Sequence, residues 1–273
     1  MTHLTLDTAE AKRVTALATR ATEPGHPQMS AVHIDYVSGA AYFLSRSHDL
    51  LIQTVTATTA PSASADCRIL VGAKRLAEVV AKAPGDTVTL TPTEGGLTVT
   101  SGRWRATIPT IPPAEYDPYL LQPLTEHGAE DAIAYDGDTL LAALAPVVLA
   151  ASTDKSRPLL AGVHLANEAA GPRFVATDSY RLATRSLSLS ADRPDVTVPA
   201  DVLRLLADVH QPGDDIELAT TTRAARFDTG NTVIQCQLIE GSYPAWRNLL
   251  NHKMEPTGWL AVDDPDDLAA AAL

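Results

Sequence analysis

At 273 residues, 45% of them hydrophobic, the chain is long enough for two domains of ordinary size that each bury a core. No apolar run approaches the roughly 20 residues that span a bilayer, and residues 1–20 alternate polar and apolar without the apolar stretch of a secretory leader. The formal charge of −12 argues against a protein that grips nucleic acid with its whole surface, because phosphate binding takes clustered Lys and Arg, yet it leaves room for cations gathered on one concave surface.

In chain order, HLTLD at residues 3–7 alternates as a half-buried strand, and Asp7 then stands where an N-cap belongs. The following AEAKRVTALATRA has Val14, Leu17, Ala18 and Ala21 on one helical stripe and Lys12, Arg13, Thr19 and Arg20 opposite, with no acid among them. A second helix, AKRLAEVVAKA, turns Leu76, Val79, Val80 and Ala83 inward and Lys74, Arg75 and Lys82 outward beside Glu78. Pro84-Gly85-Asp86 ends it ahead of the strand TVTLTP. The Pro-rich stretch IPTIPPAEYDPYLLQPLTEHG is expected to be a connector. Beyond it AIAYD, residues 132–136, leads into DTLLAALAPVVLAAS, a helix without cations that Pro146 is expected to break or kink. A later helix, ADVLRLLADVH, offers Arg204 against Asp201 and Asp208, with Lys155 and Arg157 the nearest other cations.

These elements repeat. The strand–Asp–helix unit recurs at Asp7, Asp136 and Asp263, spacings of 129 and 127. Pro84-Gly85-Asp86 returns as Pro212-Gly213-Asp214, and Ser101-Gly102 as Thr229-Gly230, each shifted by 128. Tyr116-Asp117-Pro118-Tyr119 returns as Tyr243-Pro244-Ala245-Trp246, and Ala31-Val32-His33-Ile34 as Gly162-Val163-His164-Leu165. Ordered matches at one period indicate duplication of a unit. The reading is an α+β chain with two helices packed on antiparallel sheets per domain: domains at 1–125 and 126–252, and the start of a third at 253–273 whose lone helix has no sheet to pack on and is expected to be mobile.

The chemistry-bearing motifs of enzymes are missing. The eight histidines form no HxH or HExxH pair, and there is no GxSxG, P-loop or GxGxxG. No catalytic residue, metal site or cofactor is therefore expected; His33 and His164, at equivalent repeat positions, read as core or cross-strand residues. Cys67 and Cys236 lack CxxC pairing and read as buried reduced thiols, which fits a cytoplasmic location.

An acidic α+β repeat of this period resembles the bacterial sliding-clamp family, the beta subunit of DNA polymerase III. The segment VATDSYRLA, residues 175–183, is similar to the family's ATDxxRLA signature. RPLLAGV at 157–163 looks like the segment before it, EGSYPAWR at 240–247 like the turn closing the middle domain, and SGRWRATIPTIPPAEYDPY like the corresponding stretch of the first domain. The region 29–56 diverges. The resemblance covers about 250 residues and implies tandem DNA-clamp domains in a chain truncated after the second.

It implies a non-catalytic processivity factor that encircles duplex DNA without reading bases. Such a protein is nucleoid-associated, joins other chains in a ring, and docks the replicative polymerase, the clamp loader and repair polymerases through short linear motifs. On this reading Lys12, Arg13, Arg20, Lys74, Arg75 and Lys82 are the pore cations. By motif position the partner cleft is Arg157, Leu160, Thr177, Ser179, Tyr180, Arg181, Leu182, Pro244 and Leu249. Asn248 departs from the family, which often has a basic residue there. A non-replicative, phage or plasmid paralogue that binds partners without a closed ring is the alternative.

Overall fold

The computed structural model describes residues 3–37, 39–58, 67–112, 132–154, 156–168, 171–187 and 195–250. The chain divides into two compact units, Met1–Gly241 and Ser242–Leu273. The first unit opens with β1 (Leu4–Asp7) and α1 (Thr8–Ala18), which ends in a 3-10 turn, Thr19–Ala21. Then come β2 (Ala31–Val37), β3 (Ala40–Arg46), β4 (Leu50–Ala57), β5 (Cys67–Gly72), α2 (Ala73–Ala81), β6 (Thr87–Thr93), β7 (Gly96–Ser101), β8 (Trp104–Ile108) and β9 (Thr110–Ile111). The same order follows again in β10 (Ile133–Asp136), α3 (Gly137–Val148), a 3-10 turn at Pro158–Ala161, β11 (Gly162–Glu168), β12 (Gly171–Thr177), β13 (Leu182–Ser186), β14 (Val196–Pro199), α4 (Ala200–Val209), β15 (Asp215–Thr220), β16 (Ala224–Asp228) and β17 (Thr232–Gln237). In the second unit α5 (Trp246–Leu250) is the described element, with the Arg247 guanidinium 4.4 Å over the Trp246 ring.

The repeat starts each copy in one way. The Asp7 carboxylate accepts the Ala9 and Glu10 N–H groups at 2.8 and 3.1 Å, and Asp136 accepts the Thr139 N–H at 2.8 Å. Both satisfy amide groups that a helix start leaves unpaired. The equivalent Asp263 and everything after residue 250 lie outside the described residues. Gly102 and Gly230, at φ +59 and +83, make the β7–β8 and β16–β17 turns that the 128-residue spacing pairs.

All sheet pairings are antiparallel. Strands in the order β1-β6-β7-β8 correspond to β10-β15-β16-β17, and β5-β2-β3-β4 to β14-β11-β12-β13. The copies fuse where β17 pairs with β4, making one nine-stranded sheet. At this seam Ile234 faces Ile52 and Thr232 faces Thr54, all four buried. The ladder extends past both strand ends, with the Val55 N–H donating to Asn231 O at 2.8 Å and the Gln237 N–H to Asp49 O at 2.9 Å.

Each copy has a core of its own. Leu6, Val14, Ile34, Phe43, Leu76 and Leu90 belong to the first. Leu140, Leu165, Phe174, Leu206 and Ile216 belong to the second, which also takes in Leu17, Ala21 and Ile52 from the first copy. The seam therefore carries core side chains of both copies, so separating the copies exposes them. The Pro-rich connector contributes Thr110–Ile111 as the strand β9 against β5, while residues 113–131 are not described.

One expectation fails. Pro146 does not break its helix, since α3 runs unbroken from Gly137 to Val148. It sits exposed in the last turn, where a proline removes one backbone bond, and buried Leu140, Leu144 and Val147 hold the helix on its sheet.

Candidate nucleic-acid interface and partner cleft

α1 and α2 pack side by side in the first copy. Their buried stripes are those the spacing predicts, with Val14, Leu17 and Ala18 on α1 and Leu76 and Val80 on α2. The opposite faces carry the six predicted cations, but these divide into two kinds. Arg13 is held by Glu10 through two contacts of 2.8 Å, and Arg20 lies 3.6 Å from Asp208 on α4. The helix face is thus not free of acid, because Glu10 sits at i−3 from Arg13, a spacing that places the two side chains together. Hydrogen bonds from Arg13 hold the Glu10 carboxyl below its ordinary range, against the opposing effect of burial.

Lys12, Lys74, Arg75 and Lys82 are exposed. Among the described residues no carboxylate forms an ion pair with any of them; Lys12 Nζ meets Ala83 O at 3.5 Å, linking α1 to the end of α2. Of the six predicted cations these four are the ones available to a polyanion, with exposed Glu78 among them. The helices of the second copy present the reverse. Asp138, Asp201 and Asp208 are exposed, and Arg204 is occupied by Asp201 at 2.7 Å and by Val148 O at 3.2 Å. Lys155 is not among the described residues.

The predicted cleft residues of the first unit gather around the β12–β13 turn. Asp178 accepts the Tyr180 and Arg181 N–H groups, both at 2.9 Å, and Thr177 Oγ1 donates to Arg181 O at 2.6 Å. Those amides hold the Asp178 carboxyl below its ordinary range. Its other oxygen meets Arg181 Nε at 3.0 Å. Ser179 sits at φ +82, the one non-glycine residue in the left-handed region among those described. Its hydroxyl receives a bond from Arg157 Nη1 at 3.3 Å, and Arg157 is also held by Asp154 at 3.1 Å. The Ser156 side chain and amide hold the Asp154 carboxyl low in turn.

The turn thus brings Arg157, Thr177, Ser179 and Arg181 into one hydrogen-bonded group, with Tyr180 standing 94% exposed above it. Leu160 is buried at the 3-10 turn beneath, and Leu182 is half-buried at the start of β13. Pro244 and Leu249 belong to the second unit, and the Leu249 side chain is outside the described residues.

Sequence reasoning missed Asp154 and Asp178 as the groups that aim the two arginines. Their signal was local: an Asp two or three residues before the amides it caps. His33 and His164 fall as expected, on strands and buried, with His33 Nδ1 3.6 Å from Asp35 and His164 Nδ1 3.2 Å from the Thr197 hydroxyl. Cys236 is a buried free thiol whose ionisation burial pushes up to about 12; the Cys67 side chain is not described. Among the described residues no group of three or more His, Cys, Asp or Glu is arranged to hold a metal, and no helix is long and apolar enough to cross a membrane.

Residues 135–245 match the family model for the central domain of the DNA polymerase III beta subunit. The beta sliding clamp of Synechococcus elongatus is 28% identical over 258 residues, 90% of this chain and 66% of that protein. That of Staphylococcus epidermidis is 31% identical over 182 residues, 65% of this chain and 47% of its own length. The chain thus spans less than two thirds of the length of these relatives. Among solved structures, a sliding clamp from Pseudomonas aeruginosa bound to griselimycin matches with a TM-score of 0.80 at 22% identity, covering 92% of this chain and 68% of that one. The Bacillus subtilis sliding clamp matches with a TM-score of 0.78, also at 22% identity and the same coverage. The chain thus carries a match to the central domain of the DNA polymerase III beta subunit at residues 135–245 and, over most of its length, is similar to the bacterial beta sliding clamps in sequence and shares their fold.

Proposed function

We propose that this protein is a non-catalytic processivity factor of DNA replication. In this reading it works in the cytoplasm at the nucleoid, surrounds duplex DNA as part of a ring, and tethers the replicative polymerase. The clamp loader and repair polymerases are its other partners, engaged through short peptides. The single observation that carries the reading is the exposed set Lys12, Lys74, Arg75 and Lys82 on one helix pair of a chain whose net charge is −12. Such a surface attracts phosphates without reading sequence, which suits sliding. We assign the boundaries of its repeats to residues 1–125 and 126–252, with a further repeat beginning at 253.

The Arg157, Ser179 and Arg181 group, with Tyr180 and buried Leu160, suits a peptide with apolar anchors and an acidic flank. The P. aeruginosa clamp bound to griselimycin supports a ligand-accepting surface on this fold.

Retention on DNA tests the ring. Protein loaded on a closed circular duplex is expected to stay bound through a high-salt wash and to leave when the circle is cut. Equal loss from circular and linear DNA, with peptide binding intact, identifies instead a partner-binding paralogue that forms no ring.

A further inference from the structure

Strand alternation gives the β5-β2-β3-β4 sheet two faces. Val32, Ile34, Phe43 and Ile69 turn into the first core, so His33, Asp35, Tyr42, Leu44, Gln53 and Arg68 share the opposite face. That face holds a cavity of about 350 Å³ lined from these four strands alone, large enough for a small ligand. We propose that the cavity binds a small carboxylate with an aliphatic body, held by Arg68, Gln53 and Tyr42. This goes beyond the clamp reading, because no residue of the α1–α2 surface or of the β12–β13 turn takes part.

Register sets the groups in two rows. Asp35 lies between Tyr42 and Arg68, and Leu44 between His33 and Gln53. The Asp35 carboxylate accepts from Arg68 Nε at 3.1 Å and faces His33 Nδ1 at 3.6 Å. It fixes the arginine by one N–H and leaves the Nη groups available. Among the described residues no hydrogen bond engages those Nη groups, the Gln53 side-chain amide or the Tyr42 hydroxyl. Burial holds the His33 ring below its ordinary range, against the opposing pull of Asp35, so the positive charge facing the cavity is that of Arg68. Val37, 42% exposed, and half-buried Leu44 supply an apolar wall. Donors beside an apolar wall match an accepting head on an aliphatic tail, and a guanidinium offers a carboxylate two parallel bonds.

The second copy has its own side chains across the same face. Arg173 stands where Tyr42 does, Glu168 where Val37 does and Thr184 where Gln53 does. Arg173 Nε meets Glu168 at 2.8 Å and its Nη1 reaches Thr184 Oγ1 at 3.5 Å, so donors there are satisfied within the copy. In the first copy valine replaces the accepting carboxylate and tyrosine the spanning arginine. Divergence has uncovered donors on a half-buried face, and such donors favour a ligand that accepts from them.

The test is methyl NMR on the full chain with hexanoate as the probe. Titration to about 50 mM, which reaches the weak affinities of ligands this small, is expected to shift the Val37 and Leu44 methyl signals saturably. Hexanamide, with the same tail and no charge, is expected to bind about tenfold more weakly. Arg68→Gln removes the cation and Gln53→Glu sets a like charge against the ligand, and each is expected to weaken hexanoate binding about tenfold or more. Arg103→Gln, at an exposed turn, leaves it unchanged. Circular dichroism confirms that each variant is folded. N-acetyl-leucine separates two sources of such a group: tighter binding than hexanoate indicates the end of a peptide chain, weaker binding a free acid, and either order supports the site. Folded protein whose Val37 and Leu44 signals stay still, or move equally with hexanamide, overturns the proposal. So does hexanoate binding that both Arg68→Gln and Gln53→Glu leave intact.

Discussion

At the scale of single residues, the β12–β13 turn is held by side chains that serve its backbone. Ser179 at φ +82 is there because Asp178 and Thr177 bond the amides and carbonyl around it. A β-branched side chain tolerates that conformation poorly. Ser179→Val is expected to lower stability by about 1–2 kcal/mol and to release Arg157, which a shift of the urea midpoint and a weaker affinity for an acidic-flank peptide both report. Glu10 has a different signature. Its carboxyl is held low by Arg13, so the folded state binds the proton less readily than the unfolded one. The resulting stabilisation is present above the ordinary carboxylate range and is lost as pH falls through the lowered value. Both side chains are roughly a third exposed, so the effect is well under about 1 kcal/mol. Glu10→Gln should cost that little at neutral pH and make stability fall less steeply below about pH 4.5; an unchanged acid limb would show that the pair contributes nothing.

At the scale of elements, the sequence declared starts and turns better than it declared pairings. Asp7, Asp136, the Pro-Gly-Asp turns and the glycines at 102 and 230 act within a few residues, so their consequences are local and readable. The β17–β4 seam joins residues 232–236 to residues 50–54, and nothing in either strand announces a partner so far away. The division of the six cations was half legible: Glu10 and Arg13 lie three apart, whereas Arg20 meets Asp208 only after both copies have folded. Pro146 misled because a rule for helix interiors was applied to a last turn held by tertiary packing. Pro146→Ala should restore the lost backbone bond and raise stability by roughly 1–2 kcal/mol, read as a higher denaturant midpoint with unchanged helix content. A gain of helix content would mean that α3 is in fact interrupted there.

At the scale of the whole molecule, duplication sets the frame and divergence sets the chemistry. One copy has a cation-rich helix pair and the other an acid-rich pair, on sheets of the same order. Under the proposed function, attraction to DNA would rest on the first copy, with the net charge of −12 limiting binding elsewhere on the surface. The seam keeps the copies in one fixed relation through shared core residues such as Ile52 and Ile234.

The most direct measurement is the salt dependence of affinity for duplex DNA in two variants. Lys12, Lys74, Arg75 and Lys82 changed together to Ala should weaken binding and lower the log–log salt slope by up to roughly 0.9 for each phosphate contact removed. Arg13 and Arg20 changed together, both already facing carboxylates, should leave the slope nearly where it was. Equal slopes in the four-cation variant and the unmodified protein would contradict the assignment of DNA tracking to the α1–α2 surface.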